Sequence, residues 1–269
     1  MAAETALRSM GLIIVGDEIL SGRRTDKHFA KVIELLAVRG LQLSWVEILP
    51  DDRSRLTAAY RRSFASGDVV FSCGGIGATP DDHTRQAAAA ALGVGLTLHP
   101  QAEAQIARHC GNLARQGKGS ADMTTPENRQ RLQMGVFPEG STIVPNPYNG
   151  IPGFFIRDHT FVPGFPVMAW PMLEWTLDTR YRTLHHALHH VTLSFLVYDL
   201  PESRITPAME AVQQRWPGIK AFSLPSIGTP ANAHIDLGVK GEPDASAQAF
   251  EYLQAEVIRL GGRYARGPD

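Results

Sequence analysis

Residues 74–84, GGIGATPDDHT, constrain this chain more than any other stretch. They follow the apolar run DVVFSC (68–73), which reads as a strand, and precede an alanine run stopped by Gly93, which reads as a helix. A loop that closes a strand and opens a helix lies at the carboxyl edge of a parallel sheet, where ligands bind and helix amino-termini point at them. Glycines let the backbone adopt positive φ and approach a ligand closely, so successive amides can cradle phosphate oxygens. Two adjacent carboxylates beside that cradle would repel a phosphate unless a hard cation lies between them, and Mg²⁺ takes oxygen ligands of this kind. No Lys follows the glycines, and GGxG does not match GxGxxG, which sets aside the Walker loop and the dinucleotide fingerprint.

The strand–helix unit recurs upstream. Residues 10–16 read as a buried strand, followed by a helix with Phe29, Val32, Ile33 and Leu36 on its apolar face and Gly40 at its end. Residues 41–49 read as a second strand, and Leu56, Tyr60 and Phe64 share a helix face. The alternation predicts an α/β fold with a doubly wound, mostly parallel sheet. Residues 100–134 read as helical with a break at 117–119, two short apolar pieces follow at 141–146 and 160–164, and a helix over 166–178 closes a domain of residues 1–180.

The pattern then changes. Val191, Leu193, Phe195 and Val197 alternate as a half-buried strand requires. A helix with Ile205, Met209, Val212 and Trp216 on one face comes next, then strands at 219–224 and around Ile235, Leu237 and Val239, then a helix carrying Phe250, Leu253, Val257 and Leu260. The expectation is a second, smaller α+β domain over residues 188–269.

Several function classes are excluded as expectations. A net charge of -1 without a dense basic cluster argues against nucleic acid as the main partner. No apolar run approaches the roughly 20 residues of a membrane span, and no export signal is visible. Cys73 and Cys110 are far apart without metal-ligand spacing, which fits a reducing cytoplasm, and Cys73 reads as a small core residue. His185, His186, His189 and His190 would form two i, i+4 pairs if helical, but with no supporting carboxylate they read as a solvated connector between domains.

Two further acidic turns fall on the same edge as the glycine loop. Gly16, Asp17 and Glu18 follow the first strand, and Asp51 and Asp52 follow the second. Each alone is an ordinary helix cap; their convergence with the loop marks a site. Metal-assisted phosphate chemistry is the expectation there, and the family resemblance given below implies Asp51 and Asp82 as catalytic carboxylates that, with Asp81, would hold Mg²⁺ or another divalent cation to polarise a phosphoryl oxygen. The backbone from Gly75 to Thr79 would stabilise phosphoryl charge, with Gly74, Gly75, Gly77, Thr79 and Thr84 as binding positions. On the same resemblance, Asp17, Glu18, Asn146 and Asn149 are candidates to orient a base, ribose or pterin.

Taken in order, GDEIL (16–20), PDD (50–52), GGIGATPDDHT (74–84), PENRQ (126–130), PNPYNGIPGF (145–154) and VPG (162–164) resemble the molybdopterin-binding domain shared by MogA, MoaB, MoeA and gephyrin, and most of all the amino-terminal part of the CinA proteins. PES (201–203) and LPS (224–226) are similar to the KH-like domain that follows in CinA proteins, so the resemblance spans nearly the whole chain. It implies a site at the carboxyl edge of the sheet, ligand-binding roles for Gly16, Gly150 and Gly164, and commonly a homo-oligomer. Asp51 and Asp82 match the acidic positions that matter for adenylyl transfer to molybdopterin in the MogA branch. In the CinA branch the resemblance implies a metal-dependent pyrophosphatase acting on ADP-ribose or a similar dinucleotide.

The chain also departs from the family. Full-length CinA proteins continue into a nicotinamide-nucleotide amidase domain, and this chain ends before it, so that activity is not expected. The Pro-Ser-Glu-Met usual after the Pro-Gly pair is Phe165, Pro166, Val167 and Met168 here, and the missing Glu puts hydrolysis in question. The usual threonine before the glycines is Cys73, and the usual valine before Thr84 is His83. Three outcomes stay open: a Mg²⁺-dependent pyrophosphatase, molybdopterin binding or adenylylation, and a non-catalytic nucleotide- or pterin-binding module.

Overall fold

A computed structural model describes residues 8–186, 191–226 and 233–266. The chain divides into two compact units, Met1–His185 and His186–Asp269. The first unit runs β1 (Met10–Val15), α1 (Asp17–Leu20), α2 (His28–Ala37), β2 (Trp45–Leu49), α3 (Arg53–Ser66), β3 (Val69–Cys73) and α4 (Thr84–Leu92). It continues with β4 (Leu96–Leu98), α5 (Pro100–Arg115), α6 (Pro126–Leu132), β5 (Val136–Pro138), β6 (Thr142–Val144), β7 (Gly153–Ile156), β8 (His159–Val162) and α7 (Pro166–Arg180).

Six strands form one sheet in the order β2-β1-β3-β8-β7-β6. Pairing is parallel from β2 through β8 and antiparallel at β7 and β6. Every residue of β1 and β3 is buried, as central strands covered on both faces require. On one face Leu12, Ile14 and Phe71 meet Val32, Leu35 and Leu36 of α2 and Met172, Leu173 and Leu177 of α7. On the other, Ile13, Val15 and Val70 meet Leu56 and Tyr60 of α3 and Ala87 and Ala88 of α4. This double cover makes the fold α/β and doubly wound, and it fixes the carboxyl ends of β1, β2 and β3 side by side.

The structure corrects several local expectations. The buried row of α2 is His28, Val32, Leu35 and Leu36, while Phe29 and Ile33 are each 43% exposed. The first residue of the helix explains the rotation, because His28 Nε2 donates to the Gly164 carbonyl at 3.0 Å and turns that side inward. The second strand begins at Trp45 rather than at residue 41, with the indole lying over Gly11, where an added Cβ would come within 2.1 Å of the ring. Strand β7 lies at the end of a stretch too rich in Gly, Pro and Asn to signal one, and β4 and β5 pair outside the main sheet.

An aromatic column stiffens the antiparallel end. Phe154 stacks on Phe161 with centroids 4.3 Å apart, and Phe137 stacks on Phe154 at 5.0 Å. His159 is buried beside it, with Nδ1 donating to the Arg157 carbonyl and Nε2 facing the Ser63 hydroxyl, both at 2.8 Å. A carbonyl can only accept, so Nδ1 carries the proton and Nε2 accepts from Ser63 in the neutral ring.

The second unit contains β9 (Val191–Tyr198), α8 (Glu202–Arg215), β10 (Lys220–Ser226), β11 (His234–Gly241), α9 (Pro243–Arg259) and β12 (Arg263–Arg266). Its antiparallel sheet has the order β10-β11-β9-β12, and Phe195, Val197, Leu237 and Val239 pack against Ile205, Val212, Leu253 and Val257. Strand β12 was not anticipated, because RYAR is exposed throughout and carries no apolar alternation. Of the histidine cluster, His189 and His190 lie outside the described residues. His185 follows a 3-10 turn with Nε2 donating to the Leu177 carbonyl at 3.1 Å, and His186 has φ 50, so neither continues a helix. Among the described residues no helix is long and apolar enough to cross a membrane.

Burial lowers the pKa of His159 to about 4, against hydrogen bonding and nearby carboxylates that act the other way. The unfolded chain therefore binds this proton first, and stability is lost as pH falls from the ordinary value near 6.5 towards 4, amounting to roughly 3 kcal/mol once the folded-state group is protonated. Urea unfolding between pH 7 and pH 5 (about two units) should show this loss, and His159→Gln should flatten it; an equally steep dependence in the variant would assign the proton elsewhere.

Candidate functional site

The turns that follow β1, β2 and β3 face one another across a cavity of about 440 Å³. Its walls include Gly16, Glu18, Asp51, Gly74, Gly75, Gly77, Thr79, Asp81, Asp82, Asn146 and Gly164. The convergence of three acidic turns at one sheet edge is therefore realised. Of the remaining candidates, Asp17 and Thr84 stand outside this lining, and Gly150 lines a neighbouring cavity of about 460 Å³ on the far side of the Asn146–Asn149 turn.

The glycine loop is held by its own side chains. Asp82 accepts from the Gly77 amide at 2.9 Å through one oxygen and from the Thr79 amide at 2.8 Å through the other, which also takes the Thr79 hydroxyl proton. Thr84 is fully buried; its hydroxyl donates to the Gly74 carbonyl at 3.0 Å and its amide to the Gly75 carbonyl at 3.0 Å. Arg85 donates to the Gly77 carbonyl and Gln130 to the Ala78 carbonyl. The Thr79 carbonyl takes the Asp82 amide at 3.1 Å. With these five carbonyls occupied, the amides of Gly75, Ile76 and Ala78 have no partner among the described residues and are the donors a ligand can use. Gly74 has φ 108, and a Cβ there would meet the Val15 carbonyl at 2.3 Å, so only glycine fits.

The opposite wall is acidic. Asp51 accepts from the Asp17 amide at 2.9 Å, so one carboxylate oxygen is tied to the start of α1. Burial pushes the Asp51 carboxyl above its ordinary value, with further upward pushes from Asp17, Glu18 and Asp81 that the Asp17 amide only partly offsets. Clustered negative charge of this sort fits a hard cation with oxygen ligands, although among the described residues no three His, Cys, Asp or Glu side chains are arranged to hold a metal by themselves. Asp51 and Asp81 are the carboxylates that could do so, because both Asp82 oxygens already brace the loop. Asp52 is not part of the wall: it caps α3 by accepting from the Arg55 amide at 2.8 Å.

Asn146 and Asn149 face the cavity but are engaged within their own turn. The Asn146 amide nitrogen donates to the Asn149 side chain at 2.9 Å and to the Ile151 carbonyl at 3.0 Å, and its oxygen accepts from the Tyr148 amide. They shape the cavity rather than present polar groups to it. Cys73 is 1% exposed and burial drives its thiol upward, which leaves it a core residue. Four contributors went unrecognised in the sequence: Arg24 on the cavity rim, Arg85 and Gln130 behind the loop, and His28 on the Gly164 carbonyl. Single basic or amide residues distant in sequence carry no spacing signal. Gln130 does close the PENRQ segment, which was the one available hint.

The chain is similar to known proteins along most of its length. Residues 11–183 match the family described as probable molybdopterin binding domain. The Thermoplasma acidophilum protein Ta0487 is 26% identical over 97% of this chain and its own full length. A CinA-like protein from an Anaeromyxobacter species is 29% identical over 95% of this chain, which spans 65% of that protein. The crystal structure of the protein CinA, of unknown function, from Thermoplasma acidophilum superposes with a TM-score of 0.54 at 27% identity, covering 64% of this chain and 98% of that one.

Asp82→Ala removes the acceptor of two loop amides and should cost about 1–3 kcal/mol. Hydrogen exchange by NMR should show the Gly77 and Thr79 amides losing protection while Thr84 and β3 keep theirs. Unchanged exchange at both amides would mean that Asp82 does not hold the loop.

Proposed function

We propose, for a chain that belongs to the molybdopterin-binding domain family and is CinA-like along its length, that the cavity binds a phosphate-bearing nucleotide or pterin and cleaves the phosphoanhydride of ADP-ribose or a similar dinucleotide. The observation that carries this reading is the glycine loop, whose carbonyls are tied back while three amides remain for an anion, opposite a carboxylate cluster. In the net reaction water adds to one phosphoryl group, the bridging P–O bond breaks, and AMP and ribose 5-phosphate leave.

Each part of the site has a role in this reading. The amides of Gly75, Ile76 and Ala78 bind the phosphoryl oxygens and stabilise the charge that develops on them, a preorganised donor set that needs no rearrangement during reaction. Asp82 and Thr84 keep that donor set in place. A divalent cation such as Mg²⁺ held by Asp51 and Asp81 would screen the repulsion between those carboxylates and the phosphates and polarise a phosphoryl oxygen. Glu18 and Arg24, 4.0 Å apart on the rim, and Met134, Phe165 and Met168 on the walls would contact the rest of the ligand.

A second reading has a specific observation behind it. The position where CinA proteins usually carry Glu is Val167, 54% exposed and flanked in sequence by Pro166 and the wall residue Met168, so this chain has no carboxylate there. A binding protein for a nucleotide or pterin, without turnover, would need only the loop and walls.

Purified protein incubated with ADP-ribose and Mg²⁺ should release AMP, lose that activity in EDTA, and lose at least about tenfold in kcat on Asp51→Asn. Binding of ADP-ribose without AMP release would select the second reading, and absence of both would remove the dinucleotide.

A further inference from the structure

Behind the glycine loop the first unit buries a cation that has no carboxylate in contact. Arg85, the second residue of α4, is 4% exposed. Its Nη2 donates to the Gly77 carbonyl, its Nε has no partner, and no ion pair to it occurs among the described residues. Burying a guanidinium in this way is costly unless an opposite charge compensates it. Desolvation pulls the group below its ordinary value, and Asp82, which acts in the opposite direction, already serves two amides of the loop. Asp82 therefore offsets only part of the charge.

The position suggests what the charge is for. Gly77 and Ala78 line the cavity on one side of the loop, and the guanidinium holds the Gly77 carbonyl on the other. We propose that Arg85 is the fixed positive charge of the phosphate site, anchoring the Gly77 carbonyl away from the cavity and supplying, through the thickness of the loop, the field that a phosphoanhydride or phosphomonoester completes. It is a positioning residue, since it does not line the cavity, and its missing counter-charge is the ligand's own phosphate. In a low-dielectric interior such a charge favours multiply charged phosphate ligands over neutral ones of similar shape. The inference rests on the reading of the loop as a phosphate cradle.

Three proteins test it by calorimetric titration with ADP and with inorganic pyrophosphate: the wild type, Arg85→Gln, which stays polar but removes the charge, and Arg85→Lys, which keeps the charge. Arg85→Gln should bind both ligands at least about tenfold more weakly, while Arg85→Lys recovers most of the affinity. The ligand-free melting temperature of Arg85→Gln should stay within a few degrees of the wild type or rise, because a buried, incompletely paired charge has been removed. A merely structural role gives the opposite pattern, with ligand-free melting lowered in Arg85→Gln and its affinity for ADP intact. That pattern, or equal loss in both variants, overturns the proposal. Wild-type protein that binds neither ADP nor pyrophosphate would overturn the phosphate cradle as well, whereas wild-type binding shared by Arg85→Gln would overturn the role of Arg85 alone.

Discussion

Asp82 accepts from the amides of Gly77 and Thr79 while Thr84, two residues on, closes its hydroxyl and amide onto the carbonyls of Gly74 and Gly75. The rest of the site depends on these two clasps. A loop with three glycines has more conformational freedom to lose than any other of its length, and without the clasps its amides would point nowhere in particular. With them, the loop becomes a continuation of β3 and α4, two elements whose positions are set by the double-sided core. Rigidity that begins with apolar burial of Val69–Cys73 and of Ala87 and Ala88 is passed to backbone donors at the surface.

The charge distribution around that loop is unusual in its direction. Carboxylates of Asp51, Glu18 and Asp81 line the open side, and a guanidinium lies buried behind it. Were the loop only a turn, the reverse placement would cost less, since Arg tolerates exposure, whereas burial and then the neighbouring negative charges push the Asp51 carboxyl above its ordinary value. Placing the cation inside and the anions outside makes sense for a ligand that is itself anionic at the loop and is met by a hard cation at the carboxylates. In the proposed function the two charges would act on different parts of one phosphoanhydride.

The sequence made the architecture legible because β1 and β3 are uninterrupted apolar runs and the glycine–aspartate loop sits between a strand and an alanine-rich helix. What it did not reveal was decided by contacts. The α2 face is rotated by one position because His28 reaches Gly164, 136 residues away. Strand β7 lacks a pattern because Gly153 must lie against the Phe161 carbonyl, where a Cβ would come within 2.2 Å. The acidic residues were readable as a cluster but not as individuals. Composition cannot tell a carboxylate that faces the cavity, such as Asp51, from one that braces a loop, such as Asp82, or caps a helix, such as Asp52. Arg85 and Gln130 were invisible for the same reason, since their meaning lies in the carbonyls they occupy.

Beneath the loop the protein keeps a polar but uncharged floor. The Tyr60 hydroxyl meets that of Ser72 at 2.8 Å, and burial pushes the phenol up to about 12 despite hydrogen bonds to Ser72 and Thr84 that pull it down. The neighbouring Cys73 thiol is raised as well. Neither group can ionise at neutral pH, so neither places a charge beneath the loop that would screen the guanidinium. A buried, neutral floor of this kind preserves the strength of each hydrogen bond and each charge above it, because the effective dielectric falls in the protein interior. The cost of burying Tyr60 and Ser72 is met by pairing their hydroxyls, and that of Thr84 by its bond to the Gly74 carbonyl, and what the fold gains is a loop whose electrostatics are set by the few groups placed around it.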